Sequence, residues 1–69
     1  MKIQTLTRMG REIARNYAAL PHDQAVSGIA GHLRSFWTPA MIAEIEAFAA
    51  TDPGAVDPLL LEAIRELGG

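Results

Sequence analysis

The four prolines of this 69-residue chain decide most of what it can become. They fall at Pro21, Pro39, Pro53 and Pro58, and each disfavours helical geometry in the residue before it while removing one backbone donor. No helix runs through them undisturbed, so the chain is cut into short segments. Within those segments the apolar residues recur at helical spacing, not in the alternation of a strand. Leu6, Met9, Ile13, Tyr17 and Leu20 step by three, four, four and three residues, which is the stripe of an amphipathic helix.

The spacing predicts a first helix from Thr5 or Thr7 to Ala19, capped by either threonine and stopped at Leu20 by Pro21. A second is expected from His22 or Asp23 to Phe36 or Trp37, with Asp23 in its first turn, where a negative charge suits the helix dipole. Val26, Ile29, Ala30, Leu33, Phe36 and Trp37 form its stripe. Gly28 and Gly31 lie inside it, and each costs about 1 kcal/mol against alanine in a helix interior. Close approach of another backbone, from the first helix or from a partner, explains such glycines; so does plain sequence drift.

Thr38-Pro39 supplies an N-cap and then a proline at the first helical position, so a third helix begins at once and reaches about Ala50. Met41, Ile42, Ile45, Phe48 and Ala49 are expected inward, Glu44 and Glu46 outward, and Trp37 at the corner. Thr51-Asp52-Pro53-Gly54 reads as a turn. Asp57-Pro58 repeats the cap-then-proline device and opens a last helix ending near Leu67, with Leu60, Ala63, Ile64 and Leu67 inward and Leu59 and Leu61 partly surplus. The expected fold is all-α: a small bundle of four short helices with a tight Thr-Pro corner between the second and third, one domain over residues 1–69.

A core of this size supplies only about 3–5 kcal/mol unless something staples it. There is no cysteine, which removes disulfides, thiolate metal sites and cysteine nucleophiles and suits a reducing cytoplasm. Stability therefore rests on tight helix packing or on a partner. The net charge of −2 gives no general attraction to nucleic acid or anionic lipid. The charge is unevenly placed, however: residues 1–37 carry five basic and two acidic side chains, residues 38–69 one basic and six acidic. The two halves are expected to attract one another within the fold, or between copies. Arg8, Arg11 and Arg15 fall at helical spacing beside the first stripe, as a solvated face or as a docking surface for carboxylates.

Met1-Lys2 is not followed by the apolar run of a secretory signal, and no segment approaches the roughly 18 apolar residues of a membrane span. A cytoplasmic chain without membrane contact is expected. Catalytic chemistry is hard to assemble. His22 and His32 stand ten residues apart and belong to no metal-binding pair. Ser27 and Ser35 lack a nucleophile-elbow context, and Glu44 and Glu46 point apart on one helix. A helix-turn-helix DNA-binding regulator suits four short helices with a tight corner, but the third helix has no Arg or Lys to meet phosphates and bases. No catalytic, cofactor-binding or metal-ligating residue is assigned, which leaves the aromatic corner. Its Trp37 is the only tryptophan, a residue type common both in cores and at the centres of interfaces.

Three stretches carry a resemblance: Ile13-Ala14-Arg15-Asn16-Tyr17-Ala18-Ala19-Leu20-Pro21-His22-Asp23, then Ala25-Val26 with Ile29-Ala30, and above all His32-Leu33-Arg34-Ser35-Phe36-Trp37-Thr38-Pro39-Ala40-Met41. With the Asp57-Pro58-Leu59 start of the last helix, they resemble the small delta subunit of soluble NAD-dependent formate dehydrogenases. The resemblance implies a non-catalytic accessory subunit that binds the large alpha subunit and aids assembly or stability. The partner complex would carry a bis-pyranopterin molybdenum or tungsten centre, iron–sulfur clusters, FMN and NAD, with no cofactor on this chain. Where the family is usually basic after the corner proline, this sequence has Ala40 and Ile42. The expected partner-binding residues are Phe36, Trp37, Pro39 and Met41 as an apolar docking surface, with His32, Arg11 and Arg15 making polar contacts beside it. Self-association of the free chain and a transient role as a cofactor-insertion chaperone stay open as alternatives.

Overall fold

A computed structural model of the chain describes residues 2–68; Met1 and Gly69, the ends of the expected 1–69 domain, lie outside the described residues. Four α-helices follow in order: α1 (Ile3–Tyr17), α2 (His22–Phe36), α3 (Pro39–Thr51) and α4 (Pro58–Gly68), with a 3-10 turn at Pro53–Ala55 between the last two. No strand forms among the described residues. The all-α bundle expected from the periodicity is the fold observed.

The two cap-then-proline devices work as their chemistry requires. Thr38 is extended (φ −71°, ψ 157°) and its hydroxyl oxygen accepts from the Met41 N–H at 3.2 Å. Asp57 Oδ1 accepts from the N–H groups of Leu59 at 3.0 Å and Leu60 at 3.3 Å, covering two donors that the start of α4 leaves without helical partners. Replacing Asp57 by alanine is expected to cost about 1 kcal/mol, read as a lower urea midpoint with unchanged slope. An unshifted midpoint would show that water serves these donors equally well.

The start of α1 differs from expectation. It begins at Ile3, two residues before Thr5, with Lys2 in the cap position and no side-chain cap. Thr7 lies inside the helix, where its hydroxyl donates back to the carbonyls of Ile3 (3.1 Å) and Gln4 (3.0 Å). A threonine can serve its own helix in this way instead of capping it. The other end also comes early, at Tyr17. Leu20, placed in the stripe by its spacing, is outside the helix and 44% exposed.

The core is wholly apolar. Leu6, Ile29, Leu33, Ile45 and Leu60 are fully buried, joined by Trp37, Val56 and several alanines, and no polar or charged residue is buried among the described residues. The deepest line of α1 is Leu6, Gly10 and Ala14, while Met9, Ile13 and Tyr17 are only partly buried. A Cβ on Gly10 would stand 2.5 Å from Leu60 Cδ2, so the glycine lets α4 press its leucine onto the α1 backbone. Gly28 plays the same part between α1 and α2, since a Cβ there would meet the Tyr17 ring at 2.5 Å. Gly31 has nothing within 4 Å of that position, and no internal contact explains it.

Candidate functional site

The corner between α2 and α3 is two residues long. The Trp37 N–H still donates to the Leu33 carbonyl at 2.9 Å, closing the last turn of α2. The backbone then becomes extended at Trp37 (φ −91°, ψ 143°) and stays so at Thr38. Helical spacing itself separates the two neighbouring aromatics, with Phe36 at the edge of the α2 stripe beside His32 and Trp37 at its centre. Phe36, still helical, is 74% exposed, whereas Trp37 is 6% exposed and belongs to the core. The indole thus lies mostly in the core, on the face of α2 that Val26, Ala30 and Leu33 also occupy. Proline at position 39 prevents Thr38 from continuing the helix.

Phe36 is not left without a neighbour. Its ring lies with its centroid 4.7 Å from that of His32, one helical turn back, at an interplanar angle of 39°. Both rings edge a groove of about 450 Å³ between α1, α2 and α3. Met9 and Ile13 form its α1 wall, Trp37 and Met41 line it from the corner, and Glu12 and Asn16 add polar groups along α1.

Four of the seven residues expected at a docking surface, His32, Phe36, Trp37 and Met41, thus meet in one groove. Pro39 is exposed at the start of α3, and Arg11 and Arg15 are exposed on α1; none of these three lines it. Sequence reasoning missed Met9, Glu12, Ile13 and Asn16. A signal existed in their spacing, because 9 and 13, like 12 and 16, are one turn apart on the same flank of α1. Their place in the apolar stripe of α1 makes Met9 and Ile13 read as core.

A second concave surface is more polar. A cleft of about 610 Å³ opens between the start of α2 and the end of α4, lined by Val26 and by the polar His22, Asp23, Ser27, Glu62, Arg65 and Glu66. There His22 Nε2 lies 3.0 Å and 2.9 Å from the two Glu62 carboxylate oxygens. Both side chains are about half exposed, so the pair contributes at most about 1 kcal/mol. It is the one contact between a ring or basic nitrogen and a carboxylate found among the described residues. His22 is not one of the five basic side chains counted in residues 1–37, and none of the Lys or Arg side chains of that half meets a carboxylate among the described residues, so the attraction expected between the two halves takes no form of direct ion pairing.

No group of three or more His, Asp or Glu side chains comes together to hold a metal among the described residues. Without cysteine, the chain also lacks the thiolates that iron–sulfur clusters require. No helix among the described residues is long and apolar enough to cross a membrane. What the groove offers chemically is apolar surface with a few polar groups at its edge, which is equipment for contact.

Comparison with known proteins gives one assignment. The family model described as NADH-dependent formate dehydrogenase delta subunit, FdsD, matches residues 5–64 of the 69-residue chain, from within α1 to within α4. No curated protein and no solved structure matches it.

Proposed function

Because the chain belongs to the delta-subunit family of NADH-dependent formate dehydrogenases, we propose that it is a non-catalytic accessory subunit that binds the large catalytic subunit and aids assembly or stability of a cytoplasmic complex. The family match across all four helices is the observation that carries this reading. The groove beside Phe36 supports it, since an exposed ring continuous with Met9, Ile13 and Met41 is a contiguous apolar surface of the kind that marks interaction sites. The molybdenum or tungsten centre, iron–sulfur clusters, FMN and NAD site would all lie on the other subunits. A chain without thiolates contributes to such a complex through protein contact.

The test is co-expression of the tagged chain with the formate dehydrogenase subunits, followed by pull-down and mass spectrometry. The expected result is capture of the large subunit at fixed stoichiometry, equal in complexes purified with and without the metal cofactor. Capture only from cofactor-free complexes would identify a transient insertion helper and overturn the permanent-subunit reading. No capture at all would remove the function proposed.

A further inference from the structure

Along α1 the groove passes directly into a basic face. Arg8, Arg11 and Arg15 are exposed and spaced by three and four residues. Glu12, which lines the groove, stands one turn from both Arg8 and Arg15. Moving around the helix from Met9, one therefore meets apolar wall, then Glu12, then the arginines. Among the described residues no carboxylate pairs with these guanidinium groups. Opposite them, across the groove, Phe36 holds its 74% exposed ring against His32.

We infer that this groove is the docking site for an acidic amphipathic segment of the formate dehydrogenase catalytic subunit, its apolar side chains packing between Met9, Ile13, Phe36 and Met41 and its Asp or Glu side chains meeting the α1 arginines. The inference rests on the proposed function for the identity of the partner. The chemistry of the segment follows from the surface itself. An apolar floor selects large apolar anchors, and a one-sided row of guanidinium groups selects carboxylates on the matching flank and sets the orientation.

A second copy of this chain fits less well. Its acidic half supplies Glu44, Glu62 and Glu66 on exposed positions, but its large exposed apolar side chains are Leu20 and Phe36, which lie in the other half. Beside its carboxylates the copy brings only partly buried large apolar side chains, such as Leu59, Leu61 and Leu67 of α4, and no exposed anchor. Its α4 leucine and isoleucine at positions 60 and 64 are already buried in its own core.

The experiment measures binding of the full chain to the catalytic subunit for wild type, Phe36→Asp, the double variant Arg8→Glu/Arg15→Glu, and Arg65→Glu as an exposed charge control on α4. Far-UV circular dichroism first establishes that each variant keeps its helices. Phe36→Asp is expected to raise Kd about 30-fold or more. The arginine double variant should raise it about tenfold and flatten its dependence on salt, with Arg65→Glu changing it less than about twofold. Wild-type binding with unchanged Kd in both groove variants would overturn the groove assignment while leaving the proposed function standing. Absence of wild-type binding would instead overturn the proposed function. Sedimentation supplies a further outcome: a wild-type dimer made monomeric by Phe36→Asp, with catalytic-subunit binding unaffected, would seat a second copy in the groove and overturn the inference.

Discussion

Trp37→Ala is expected to abolish cooperative unfolding of the isolated chain near physiological temperature, while Phe36→Ala, one residue away, leaves it almost unchanged. The indole is 6% exposed and packs in the main core with Leu33, Ile45 and Leu60. Truncating a buried Phe or Trp to alanine typically costs about 3–5 kcal/mol, because the lost transfer energy is joined by the unfilled cavity. That is comparable with everything a core in a chain this short supplies. Phe36 is 74% exposed, and surface truncations usually stay within about 0.5 kcal/mol. Thermal melts followed by circular dichroism check both. A Trp37→Ala protein melting within a few degrees of wild type would show that the indole is not part of the packing. The pair also divides stability from recognition: Phe36→Ala should weaken capture of the partner with the fold intact, and Trp37→Ala should act through loss of the fold.

The same pair shows where sequence reading succeeds and where it stops. Caps and proline starts were legible because their chemistry is local. Thr38 and Asp57 accept hydrogen bonds from N–H groups two or three residues away, and nothing distant alters that. The start of α1 was less legible, since a threonine hydroxyl can cap a helix or bond back along it, and only the folded chain shows that Thr7 does the latter. Phe36 and Trp37 look alike in the stripe because both are large and apolar. Trp37 falls between Val26 and Ala30 on the buried face, whereas Phe36 falls at the stripe's edge beside His32, and only the packing of the bundle shows that this edge stays uncovered.

The groove itself was only half legible. His32, Phe36, Trp37 and Met41 lie within ten residues of one another, so one aromatic corner could be seen as a unit in the sequence. Its other wall comes from Met9 and Ile13, and their proximity to Phe36 depends on how α1 packs across the bundle. Apolar residues on a helix stripe read as core by default. Their partial exposure arises because the deepest line of α1 is shifted to Leu6, Gly10 and Ala14, where small residues admit α4. A glycine in a helix raises the question of close approach, but only tertiary structure names Leu60 as what approaches.

That contact yields the second large effect. Leu60→Ala is expected to destabilise by about 2–5 kcal/mol, since the side chain is fully buried and seated against the backbone of Gly10. Gly10→Ala places a Cβ 2.5 Å from Leu60 Cδ2, and the leucine has little room to yield in a filled core. Overpacking of this kind costs about 1–3 kcal/mol, set against roughly 1 kcal/mol gained in helix propensity. In wild-type background the substitution should therefore be neutral to destabilising. In the Leu60→Ala background the obstructing methyl groups are gone, so the same substitution should stabilise by about 1 kcal/mol through propensity and partial filling of the cavity. The two effects differ in sign because they share one volume, which makes the double-mutant cycle the direct measure of the contact. Urea unfolding of the four proteins reads it, provided the Leu60→Ala chain retains a folded baseline at low temperature. Equal effects of Gly10→Ala in both backgrounds would mean that α1 and α4 do not meet at this point, and with that the packing that leaves Met9 and Ile13 free to line the groove would fall.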